Sequence, residues 1–121
     1  DPIFPIENWK HHYEDLVYYL FSELPSDPDR ITLGTPRGLA KTLMFAKDRS
    51  WEKIAFTDNP DYTGWGKKAP NSLRKEIYTF FYDKLTNLGF EKSRIAMCKE
   101  TKSMWKELGL NPNFCKCNCI W

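Results

Sequence analysis

The sequence predicts an α/β fold in which helices alternate with the strands of a short parallel sheet. Two observations and one rule of packing point there. Two long stretches carry apolar residues at helical spacing, and three short β-branched or apolar segments ending in Gly, Pro or polar residues lie between helical stretches. Strands joined by helical crossovers become neighbours in a parallel sheet, because the right-handed connection packs back onto it.

From Trp9 the apolar positions are Trp9, Tyr13, Leu16, Val17, Leu20, Phe21 and Leu24, one helical face over four turns. Glu7-Asn8 caps its start, and Pro25 with Pro28 closes it. Arg30 to Thr35 reads as a buried strand ending at Gly34 and Pro36, and Gly38 to Lys47 as a modest helix carrying Leu39, Leu43 and Met44. Lys53 to Thr57 reads as a second strand, followed by a long polar turn region from Asp58 to Pro70. Pro70-Asn71-Ser72 opens a strong helix with Leu73, Ile77, Phe80, Phe81, Leu85 and Leu88 on one face and Gly89 as its stop. Arg94 to Cys98 is the third strand, and Thr101 to Leu108 a short helix with Met104, Trp105 and Leu108. Leu16 and Phe81 are both expected in the core. Three strands make a small sheet with open edges, so the pattern reads as one arc of a barrel or larger sheet.

A chain of 121 residues, 41% apolar and 28% charged, suits one compact domain, and 19 aromatic rings supply much of a core. The expected division is residues 1–110 as the βα portion and 111–121 as a tail. Eighteen basic against sixteen acidic residues give a net charge of +2, too small to forecast polyanion binding from composition. No apolar run approaches the roughly 18 to 20 residues of a membrane span, and the start at Asp1-Pro2 resembles neither a leader nor an initiating Met. A cytoplasmic location and a cut from a longer protein are therefore the expectations.

Working residues in parallel α/β sheets gather after the C-terminal ends of strands. Here these are Thr35 and Arg37, then Asp58, Asn59 and Asp61, then Lys99 and Glu100. Asp58 and Glu100 are a candidate carboxylate pair for a divalent metal in phosphoester hydrolysis, against the plainer reading of solvated turn residues. Tyr62, Trp65, Lys67 and Lys68 on a glycine-flanked loop, with Arg74 beyond, pair base-stacking rings with phosphate-neutralising cations, the pattern of a single-strand-binding module. The plainer reading covers the core with the rings and leaves the lysines as surface charge. His11 and His12 are adjacent and point about 100° apart on a helix, so they read as surface residues. Cys115, Cys117 and Cys119 alternate near the end and would share one face of a strand, suited to an iron–sulfur cluster or zinc, with Cys98 as a candidate fourth ligand. The alternative is a set of uncoordinated terminal thiols.

Asp1-Pro2-Ile3 followed by Glu7-Asn8-Trp9-Lys10, the strand Ile31-Thr32-Leu33-Gly34-Thr35-Pro36-Arg37, the helix Leu73-Arg74-Lys75-Glu76-Ile77-Tyr78, and Met97-Cys98-Lys99-Glu100 with Trp105 appear in that order. Together they resemble the C-terminal portion of the spore photoproduct lyase family of radical S-adenosylmethionine proteins, across most of the chain. The resemblance implies the late strands of a partial TIM-type (β/α) barrel whose missing N-terminal half binds a [4Fe-4S] cluster and cleaves S-adenosylmethionine. The family's C-x-x-x-C-x-x-C cluster motif is not in this chain, so this portion alone is expected to be inert. Gly34, Thr35 and Arg37 are then expected to touch the cofactor. Trp65-Gly66 with Lys67 and Lys68 looks like the family's basic, aromatic hairpin that engages DNA, with Asp61-Tyr62 where an Arg-Tyr pair is usual. The cysteine tail looks like one found in some lyase-like relatives, implying an auxiliary cluster.

Overall fold

The structure, a computed structural model, describes residues 2–57 and 59–111. The fold is mixed α/β, with five helices and five short strands in two small sheets.

Helix α1 (Trp9–Glu23) is followed by strand β1 (Ile31–Leu33), which pairs in parallel with β5 (Ile95–Met97) in the register Ile31 to Ile95 and Leu33 to Met97. Between them lie β2 (Arg37–Gly38), α2 (Ala40–Phe45), α3 (Ser50–Phe56), a hairpin of β3 (Asp61–Thr63) and β4 (Gly66–Lys68), and α4 (Asn71–Asn87). Helix α5 (Lys102–Glu107) follows β5, with the Thr101 hydroxyl accepting the Met104 amide at 3.2 Å as its N-terminal cap.

The core is where α1, α4 and α5 cover the parallel pair. Val17, Leu33, Ile77, Phe81, Leu85, Ile95, Met97, Met104 and Trp105 are buried in one cluster with Ile3 and Phe90. Edge-to-face contacts join α1 to α4, Trp9 on Phe80 at 5.1 Å and Tyr13 on Phe81 at 5.4 Å between ring centres. The Tyr13 hydroxyl also accepts the Phe4 amide, which ties the segment before α1 to the helix. The Arg94 guanidinium donates to the carbonyls of Pro28 and Asp29, closing the connection into β1 against the start of β5.

Three expectations are corrected. Lys53 to Thr57 is not a strand: Lys53 to Phe56 belong to α3 and Thr57 ends it, and at the helix start Asp48 accepts the Ser50 amide at 2.8 Å and Arg49 pairs with Glu52 one turn on. The parallel sheet therefore has two strands rather than three, and no barrel closes among the described residues. The supposed irregular region after it holds the β3–β4 hairpin, which joins β2 in a three-stranded antiparallel sheet, order β2-β4-β3. Leu16 is also not in the core; it is 45% exposed, because α1 turns Trp9, Tyr13, Val17 and Phe21 toward the cluster. Helix α2 buries none of its residues, and Met44 and Phe45 are open to solvent.

Phe81→Ala should cost about 3 to 5 kcal/mol in urea unfolding, while Leu16→Ala should cost less than about 1 kcal/mol. Equal costs at both positions would contradict the packing of α1 on α4.

Candidate functional site

The C-terminal ends of β1 and β5 open onto a common cavity. The Leu33 carbonyl accepts the Cys98 amide and the Gly34 carbonyl accepts the Ile3 amide, both at 2.6 Å, so the two strand ends and the N-terminal segment are held together. The cavity, about 260 Å³, is lined by Pro2, Thr35, Arg37, Thr42, Cys98 and Lys99. Thr35 is buried, and its hydroxyl lies beside the Tyr78 phenol yet makes no hydrogen bond among the described residues.

Adjoining this cavity through Arg37 and Lys99 is a buried ionic cluster. Glu100 follows Lys99, whose backbone lies in the left-handed region at φ 52, and it is 1% exposed. Its Oε2 accepts the Tyr78 hydroxyl at 2.8 Å and faces Arg74 Nε at 3.2 Å and Lys68 Nζ at 3.6 Å. Its Oε1 accepts the Thr101 amide at 2.9 Å. Arg74 donates from its terminal nitrogen to Asp61 Oδ2 at 2.7 Å and to the Ala69 carbonyl, and Lys68 donates to the Lys99 carbonyl at 3.1 Å.

Burial pushes the Lys68 ammonium below its ordinary pKa; Glu100 opposes that shift, while Arg74 and Arg37 add to it. Burial, reinforced by the neighbouring Glu100 carboxylate, raises the Tyr78 phenol well above its ordinary value, which keeps its proton available for donation.

The hairpin is built onto this cluster. Arg37 lies opposite Lys68 and Gly38 opposite Lys67, so β2 links the cavity wall to the hairpin stem. Only Gly64 and Trp65 lie between the paired residues Thr63 and Gly66. The Thr63 hydroxyl accepts the Trp65 amide at 3.1 Å and donates to the Gly66 carbonyl at 3.2 Å, which fixes the tip. Gly66 has φ 95, and a Cβ there would stand 2.9 Å from Leu39 Cδ2. A second cavity, about 320 Å³, lies between the tip and α5, lined by Gly64, Trp65, Glu100, Thr101 and Lys102.

The residues singled out from sequence thus separate into groups. Thr35 and Arg37 line the first cavity, whereas Gly34 is buried beside it. Tyr62 is 80% exposed on β3, Trp65 forms a wall of the second cavity, and Lys67 is half-buried with its ammonium 5.0 Å from the Phe56 ring centre. Lys68 and Arg74 are 0% and 1% exposed and are held by Glu100, Asp61 and backbone carbonyls, so they form no part of an exposed phosphate-binding surface. Glu100 is engaged by Tyr78, Arg74, Lys68 and the Thr101 amide, which removes it from a solvated carboxylate pair; its proposed companion Asp58 lies outside the described residues. Cys98 lines the first cavity, and Cys115, Cys117 and Cys119 lie outside the described residues. Among the described residues no three His, Cys, Asp or Glu side chains gather as a metal site, and His11 and His12 are exposed. No described helix is long and apolar enough to cross a membrane.

Comparison with protein-family models, with curated proteins and with solved structures finds no match to this chain.

Glu100→Gln should cost about 3 to 5 kcal/mol in urea unfolding, because two buried cations lose their shared counter-charge. A cost under about 1 kcal/mol would show that water screens the cluster. Lys68 gives a pH signature. Its folded pKa lies below the ordinary 10.5, so the unfolded chain holds that proton more tightly and stability rises with pH between the two values. Tyr78, raised above its ordinary 10.0, acts in the opposite sense above that pH. From the folded Lys68 pKa up to about pH 10 the stability of the native chain relative to Lys68→Met should therefore grow with pH; a difference that stays flat all the way to pH 10 would contradict the burial of a charged Lys68.

Proposed function

We propose that this chain is the late-strand, ligand-binding portion of a spore photoproduct lyase-like radical S-adenosylmethionine enzyme that acts on nucleic acid. The observation that carries the reading is the hairpin: it carries an exposed Tyr62 on β3 and Trp65 at its tip, and its stem is bonded through β2 to Arg37, which lines the cavity at the ends of β1 and β5. A stacking surface and a strand-end cavity on one rigid stem suit an enzyme that grips a polymer beside its reaction centre. The ordered run of family-like motifs supports the same reading, with the late strands of a partial TIM-type barrel completed by an N-terminal half and a cytoplasmic place of action.

The residues present fit part of the implied cofactor set. Thr35, whose buried hydroxyl has no hydrogen-bond partner among the described residues, and Arg37 would hold the polar end of S-adenosylmethionine, while the Gly34 carbonyl is already bonded to Ile3. When bound, S-adenosylmethionine with its reducing [4Fe-4S] cluster supplies a radical. The cluster's ligands would come from the other half of the barrel, and this chain's own residues contribute binding and orientation. Lys68, Arg74 and Tyr78 fix the hairpin and α4 around Glu100, so Tyr62 and Trp65 meet a ligand from a preset position. Cys115, Cys117 and Cys119 would carry an auxiliary iron–sulfur cluster or zinc, with Cys98 as a further ligand.

A second reading, a non-enzymatic single-strand-binding module, draws on the exposed Tyr62 ring alone. It differs in needing no cavity.

Tyr62→Ala and Trp65→Ala should each weaken oligothymidylate binding by roughly 5- to 100-fold, the loss of one stacked base, and binding should fall steeply with salt. Unchanged affinity in both variants, measured by fluorescence anisotropy, would sink the nucleic-acid reading. Anaerobic reconstitution should load iron and sulfide onto the chain, and replacing Cys115, Cys117 and Cys119 with Ser should abolish that loading; retained stoichiometric metal would refute tail ligation.

A further inference from the structure

Three features coincide at the cavity over β1 and β5. Thr35 is 4% exposed and its hydroxyl has no hydrogen-bond partner among the described residues, a costly condition for a buried polar group. The Tyr78 phenol beside it gives its proton to Glu100, so toward Thr35 it offers an acceptor and no donor, and a ligand oxygen would compete with it for the Thr35 proton. Arg37, half-buried on the same wall, makes no ion pair or side-chain hydrogen bond among the described residues. The surrounding charge is also one-sided. Among the described residues Arg37, Lys99, Lys68 and Arg74 are set against Glu100 and Asp61, and both carboxylates are already paired with the buried cations.

We propose that this cavity is an oxyanion site for a phosphate group, with the Thr35 hydroxyl and the Arg37 guanidinium as its donors. A guanidinium offers paired donors to two oxygens of a phosphate, and a hydroxyl without a partner donates to a third. The volume of about 260 Å³ admits such a group together with part of what it is attached to. A cation is disfavoured there, since the nearby carboxylates have their charges matched from within. The assignment deepens the proposed function by naming the chemistry that this face recognises: it gives Thr35 and Arg37 to a phosphate in place of the polar end of S-adenosylmethionine, and it rests on that reading for the source of the group, a nucleic-acid phosphodiester. Stem and cavity would then act jointly, Tyr62 and Trp65 stacking bases while Thr35 and Arg37 hold the backbone at the strand ends.

The test titrates the 121-residue chain with inorganic phosphate at constant ionic strength, by calorimetry. One saturable site is expected. Arg37→Gln should weaken it about tenfold or more, the loss of a charge-assisted contact. Thr35→Val should weaken it severalfold without lowering the thermal midpoint, because the substitution also removes an unpaired buried hydroxyl. That pairing of weaker binding with undiminished stability is not expected of a residue whose role is structural. Trp65→Ala should leave phosphate binding unchanged. Absence of saturable binding, native affinity in Arg37→Gln, or equal losses in Arg37→Gln and Trp65→Ala would overturn the site. Competition then separates the sources: displacement of phosphate by oligothymidylate supports a backbone phosphate, whereas displacement by S-adenosylhomocysteine alone overturns that assignment in favour of a carboxylate. Phosphate binding that is lost in Arg37→Gln, in a chain that binds no oligothymidylate, would leave the oxyanion site standing and remove the nucleic-acid reading.

Discussion

The buried carboxylate of Glu100 holds the hairpin, α4 and the start of α5 to the end of β5. Lys68 comes to it from β4, Arg74 and Tyr78 from α4, and the Thr101 amide from the turn into α5. Three charged groups withdrawn from water carry a desolvation cost of several kcal/mol each, and mutual attraction offsets it only in good geometry. Such a cluster adds little net stability compared with apolar packing of the same volume. What it sets is position: Arg74 can face both Glu100 and Asp61 only if the hairpin stem and α4 keep their present spacing.

The remainder of the molecule divides by how it is held. Around β1 and β5, burial is ordinary and apolar, with α1 and α4 joined by aromatic edges and the exposed ion pair between Lys10 and Glu76 contributing little. The segment from β2 to β4 has a much thinner apolar share. Phe56 supplies most of it, packed between Trp51 and the close approach of Gly38, where an added Cβ would stand 3.2 Å from the Phe56 ring. The antiparallel ladder and the ionic cluster secure the rest. This division explains why the hairpin needs Glu100 more than the core does.

Much of the apolar half could be read in the sequence, because spacing reports burial directly. Ile77, Phe81 and Leu85 of α4 and Ile95 to Met97 of β5 fall where periodicity puts them. The misreadings have local causes. Lys53 to Thr57 has strand-like composition, but the Asp48-Arg49-Ser50 turn ahead of it starts a helix, and a hydrogen-bonded start outweighs a weak propensity. The hairpin was hidden in a polar stretch because its strands are only three residues each, too short for alternation to register; only the resemblance of Trp65-Gly66 to a known hairpin hinted at it. Thr35, Arg37 and Lys99 were legible as strand-end residues, and the structure brings them to one cavity together with Cys98. The cluster was not legible, since Lys68 and Arg74 look like surface cations until a carboxylate from 26 residues beyond Arg74 is folded against them. A faint signal existed in Arg74 and Tyr78, polar groups one turn apart on the face that Ile77 and Phe81 share.

The hairpin tip and the hairpin stem obey separate constraints. Thr63, Gly66 and Lys68 are committed to backbone bonds, a close approach and a buried ion pair, whereas Gly64 has no heavy atom within 4 Å of the position its Cβ would take and Tyr62 faces solvent. Substitution at the tip therefore leaves folding almost untouched. Over generations the surface chemistry of this hairpin can therefore drift through one or two exposed side chains, under little selection from the interior that supports them.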